Sequence, residues 1–61
     1  MSKRNYETIA TCIRVQTFES HDPFNDHTID SARRIANALA VEFALDNPHF
    51  NHGTFMTACG F

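Results

Sequence analysis

Sixty-one residues with a net charge of −2 make at most one small domain, residues 1–61, with too little chain to wall off a catalytic cleft. A hydrophobic share of 43%, including six Phe and one Tyr, excludes a disordered chain and supplies a compact core. No apolar run approaches the roughly 18 residues of a membrane span, and no signal-peptide core follows the polar start MSKRNYE, so a soluble cytoplasmic protein is expected.

The first helix is predicted from Lys3 or Arg4 to about Thr17, capped by Ser2 or Asn5. Tyr6, Ile9, Ala10 and Ile13 form its apolar stripe, which Phe18 could extend by a turn. Its end, IRVQTF, is rich in β-branched and aromatic residues, so an extended conformation there is the competing expectation.

Glu19 to His27, ESHDPFNDH, is predicted as a loop. Asp, Asn and Ser compete for backbone hydrogen bonds, and Pro23 disfavours helical geometry at Asp22. Negative charge concentrates here: residues 19–30 carry Glu19, Asp22, Asp26 and Asp30 and no Lys or Arg. Phe24 either staples the loop to the start of the next helix or stands exposed as an apolar anchor for a partner.

The central helix, Thr28 to Asp46, has the strongest periodicity in the chain. Ile29, Ala32, Ala36, Leu39 and Phe43 recur at steps of three and four, with Ile35 and Ala40 widening the stripe. Five alanines favour the helix, and neither Gly nor Pro interrupts it. Asn25, Asp26 or Thr28 can cap its start, and Asp30 can pair with Arg33 or Arg34. Asn47-Pro48 ends it. Asn51 then caps a short last helix, His52 to about Cys59, held by Phe50, Phe55 and Met56. Gly60 sits where a left-handed residue is wanted, and Phe61 could pack on Met56 in a Schellman end. The expected fold is all-α: a small three-helix domain of two longer helices and one short C-terminal helix.

The tail DNPHFNHGTFMTACGF resembles the C-terminal signature of small uncharacterised bacteriophage and plasmid proteins. The matching positions are Asp46, Asn47, Pro48, Phe50, Phe55, Ala58, Cys59 and Gly60. Asn51 departs from the Asp usual there, and Gly53 replaces a stronger helix former. The resemblance covers about a quarter of the chain and carries no catalytic residue. It implies a mobile-element accessory protein acting in the cytoplasm of a bacterial host. Such a protein would bind and inhibit a host protein or complex, as anti-CRISPR proteins inhibit a defence system.

The remaining chemistry is sparse. His49 and His52 lie three apart, and His21 and His27 flank the acidic loop, but no zinc-ligand spacing joins them to a cysteine. No metal, cofactor or enzymatic activity is expected. Cys12 and Cys59 are read as packing or idle thiols. A DNA-binding regulator is the alternative function, since the last two helices could be drawn as a helix-turn-helix. The segment HGTFMTAC offers it no Arg or Lys, so nucleic acid is not the expected partner. Glu19, Asp22, Phe24, Asp26 and Asp30 are the candidate partner-binding residues, their carboxylates occupying a basic groove in place of phosphates. The competing view treats them as a solvated cap region favouring the next helix's N-terminus. A chain this short often leans on a partner or a second copy, so a homodimer is a further expectation.

Overall fold

The computed structural model describes residues 3–61, which are all-α: α1 (Lys3–Arg14), α2 (Asp26–Asp46) and α3 (His52–Ala58). Of the two caps expected for α1, Ser2 lies outside the described residues and Asn5 lies inside the helix. α1 does not give way to extended chain at its β-branched end. It runs into a π-helical turn, Val15–Glu19, before Ser20 takes an extended conformation. The apolar stripe therefore continues through Thr17, which is buried, rather than through Phe18, which is partly exposed.

The loop is shorter than its composition suggests. Glu19 belongs to the π turn, and Asp26 and His27 already belong to α2, leaving residues 20–25 to connect them. Asn25 is the cap of α2: its Oδ1 accepts from the Thr28 backbone N–H at 2.9 Å and from the Thr28 hydroxyl at 3.0 Å. At the other end Asn47 is extended, so α2 stops at Asp46, one residue before the proline-restricted position. Asn51 caps α3 in the same way as Asn25, accepting from Thr54 N–H at 2.9 Å.

The C-terminus closes as a Schellman motif. Phe61 N–H donates to Met56 C=O at 2.9 Å, Gly60 N–H donates to Thr57 C=O at 3.0 Å, and Gly60 has φ +94°. Arg14 joins this end to α1: its guanidinium donates to Ala58 C=O at 3.4 Å and to Glu19 Oε2 at 2.7 Å. The Phe18 and Phe61 rings meet edge-on at 5.6 Å between centroids, so both chain segments finish on one another.

α3 packs on both longer helices. At its base the rings of Tyr6, Phe43, Phe50 and Phe55 form a cluster with centroid separations of 4.8 to 5.6 Å. Ala10, Ala36 and Ala40 are fully buried, and side chains this small let the helices approach. Cys59 is fully buried as well, and burial pushes its thiol pKa up. The neutral thiol therefore favours the fold below the ordinary thiol range, and that contribution is lost as pH rises through the raised value. Cys12 is exposed, and both cysteines are free.

The α2 stripe is narrower than its spacing suggests. Ala36, Ala40 and Phe43 are buried, and Ile29, Ala32 and Leu39 are half-buried, but Ile35 points outward. Ile35 instead borders the groove between the end of α1 and the start of α2, beside Ile13, Thr17 and Phe24, and stays 61% exposed there.

One buried group in the aromatic cluster is unsatisfied. Among the described residues the Tyr6 hydroxyl has no hydrogen-bond partner. An unmade bond at a buried hydroxyl costs about 1–3 kcal/mol, whereas replacing it by an apolar surface of the same shape is nearly neutral. Tyr6→Phe is therefore expected to match or exceed wild-type stability in a denaturant melt. A loss of more than about 1 kcal/mol would show that the hydroxyl has a partner.

Candidate functional site

The five candidate residues do not form one uniform acidic patch. Glu19 is held by the Arg14 guanidinium, which also reaches the last turn of α3, so its carboxylate belongs to the scaffold. The π turn causes this: with more residues per turn, it brings residues five apart to the same side. Asp30 faces two arginines on the next turn of α2, Arg33 at 3.8 Å and Arg34 at 3.7 Å.

Asp22, Phe24 and Asp26 remain together at the corner where the loop enters α2. Both carboxylates are exposed, and among the described residues neither forms an ion pair. Asp26 is the first residue of α2, where the helix dipole favours a negative charge. The corner is fixed by backbone geometry. Phe24 N–H donates to Thr17 C=O at 3.1 Å, tying it to the π turn, and the Asn25 cap ties the next residue to α2.

Phe24 is exposed but rests against the fold on one side. The residue is 38% exposed, yet it lines an apolar groove of about 320 Å³ between the end of α1 and the start of α2. Ile13, Thr17, Ala32 and Ile35 also line this groove. Ile29, the residue a hydrophobic staple would use, is not among the lining residues. One side of the ring thus rests on the fold while the other is offered to solvent, with Asp22 and Asp26 two residues away on either side in the chain.

A second groove of about 460 Å³ lies between α1 and α3 over the aromatic cluster, lined by Tyr6, Ala10, Phe50 and Phe55 with Lys3 and Glu7. Asn47, His49, Asn51 and Thr54 line it as well. The histidines are dispersed. His21 and His27 are exposed, and His52 Nε2 lies 2.8 Å from Asn37 Oδ1, an α3–α2 contact in the tautomer that places the proton on Nε2. Among the described residues no three His, Cys, Asp or Glu side chains are grouped to hold a metal ion.

α3 contains no Arg or Lys, and the Arg33 guanidinium sits over the Phe61 ring at 5.9 Å as well as near Asp30. Among the described residues no helix is long and apolar enough to cross a membrane. A scan against protein-family models, a search of curated proteins and a search of solved structures each find no match to the chain.

Proposed function

We propose that the chain is a non-enzymatic binding protein that docks the Asp22–Phe24–Asp26 corner into a basic groove of a host protein and blocks it. The observation that carries this reading is the corner itself. Two exposed carboxylates flank a half-exposed aromatic on backbone fixed at both sides by hydrogen bonds. Acidic side chains at set spacing imitate the phosphates that a nucleic-acid-handling protein binds, and a central aromatic supplies the desolvated anchor. Preformed geometry lowers the ordering cost of such an interface.

The tail signature supports a bacteriophage or mobile-element setting, in the cytoplasm of a bacterial host. Inhibition of a defence complex such as CRISPR-Cas is the most concrete form of that setting. The test is capture from a bacterial host lysate by the wild type and by Asp22→Lys combined with Asp26→Lys. Both side chains are exposed, so the variant is expected to stay helical and to lose about 0.3–1 kcal/mol with the favourable Asp26 charge at the start of α2. A host protein retained by the wild type and lost by the variant supports the proposal. Equal retention at physiological salt makes the corner ordinary surface.

A further inference from the structure

Three of the five branched aliphatics of α2 face outward, while Ile29 and Leu39 are half-buried. Its buried residues are Ala36, Ala40 and Phe43, whereas Ile35, Val41 and Leu45 are 61%, 45% and 77% exposed. A surface helix ordinarily turns its branched aliphatics to the core and leaves its outer face polar. Ser31, Arg34, Ala38, Val41 and Leu45 recur at alternating steps of three and four, the period of a coiled-coil seam. All five are exposed, on the side of α2 opposite Ala36 and Ala40, and Ile35 and Glu42 flank the seam.

We propose that this outer face of α2 is a homodimer interface, with α2 of a second copy packed antiparallel about a two-fold axis at Ala38. Such an axis sets each residue opposite the one equally far from Ala38 on the other side. Ala38 then faces the partner's Ala38, where two small side chains let the helices approach. Ile35 faces the partner's Val41, giving an apolar layer on each side of the axis. Arg34, in the seam, faces the partner's Glu42 on its flank, so an opposite-charge pair lies on each side of the axis, and Leu45 faces the partner's Ser31.

That charge placement selects both the occupant and the orientation. A parallel pair would set Arg34 against the partner's Arg34 and Glu42 against the partner's Glu42, which is repulsive. A different protein would have no need of opposite charges placed four residues either side of an alanine. The 21 residues of α2 make about 31 Å of helix, a contact smaller than the roughly 800 Å² per partner of stable complexes. The dimer is therefore weak and concentration-dependent. Its two acidic corners would lie at opposite ends of the helix pair, and Ile35 would belong both to the dimer layer and to the edge of the groove under Phe24.

Sedimentation equilibrium of the full chain from about 1 µM to 1 mM tests it. The wild-type mass is expected to rise from 6.9 kDa toward twice that value, and Leu45→Glu to remain monomeric with unchanged helicity. Arg34→Glu and Glu42→Arg should each weaken association about tenfold, and the two together should restore it. The restoration isolates the intermolecular pair, because the double variant still lacks the Arg34–Asp30 contact. A wild type monomeric at every concentration, a dimer that Leu45→Glu leaves intact, or no recovery in the double variant would each overturn the proposal.

Discussion

Phe43→Ala is expected to leave most of the chain unfolded at 25 °C. Phe43 is the α2 member of the aromatic cluster, with ring centroids 4.9 Å from Tyr6, 5.6 Å from Phe50 and 5.5 Å from Phe55. Truncation removes ring contacts to α1, α3 and the turn between α2 and α3 together. The neighbours are rings fixed by one another, so the space left behind closes poorly. Phe→Ala in a packed core costs about 3–5 kcal/mol. A chain of this length has roughly 3–9 kcal/mol to lose. The other buried apolar residues are Tyr6, Phe55, three alanines and Cys59, a thin reserve. A thermal melt followed by circular dichroism should show a much reduced amplitude and a broad transition. A cooperative melt near the wild-type midpoint would show that the ring cluster is not what holds α2.

The second large effect falls on the C-terminus, at Gly60→Ala. Gly60 has φ +94°, a left-handed conformation in which an L side chain is strained, at a cost of about 1–3 kcal/mol. A Cβ at that position would lie 2.7 Å from Phe18 Cε2 and 2.8 Å from Phe18 Cδ2. Phe18 can swing away because it is partly exposed, but it then leaves the edge of the Phe61 ring. The two Schellman hydrogen bonds and the aromatic seal are coupled, so strain at one loosens the other. In a domain of this size each kcal/mol lowers the melting midpoint by about 4–8 °C. An unchanged midpoint would show that the terminal turn opens at no cost.

The tail was the most legible part of the fold. Its signals act over three or four residues: Asn51 as a cap, Asn47-Pro48 as a stop, Gly60 and Phe61 as a closing pair. Each produced the hydrogen bond its type implies. The α2 stripe was legible in position but not in width, because spacing alone does not say how far a neighbouring helix reaches. Ile35 borders the open groove between α1 and α2 and stays exposed. The acidic loop was legible as charge, yet the engagement of Glu19 was not. Its pairing with Arg14 is a five-residue step that an α-helix keeps apart and a π turn brings together. Asp30 was the opposite case, since steps of three and four to Arg33 and Arg34 are visible in the sequence. The unpartnered Tyr6 hydroxyl left no trace in the sequence, because it depends on what packs around the ring.

The corner at Asp22, Phe24 and Asp26 carries the functional proposal, and the affinity of a captured host protein for it is the most direct measurement. Isothermal titration of the purified partner would compare the wild type with Asp22→Lys combined with Asp26→Lys, at low and at physiological salt. Wild-type binding should weaken as salt rises, because exposed charges are screened within about 8–10 Å. The charge-reversed chain, still helical, should lose affinity by at least about a hundredfold, or roughly 2.7 kcal/mol. Equal affinity for the two chains, with no dependence on salt, would contradict the account and move the binding surface away from this corner.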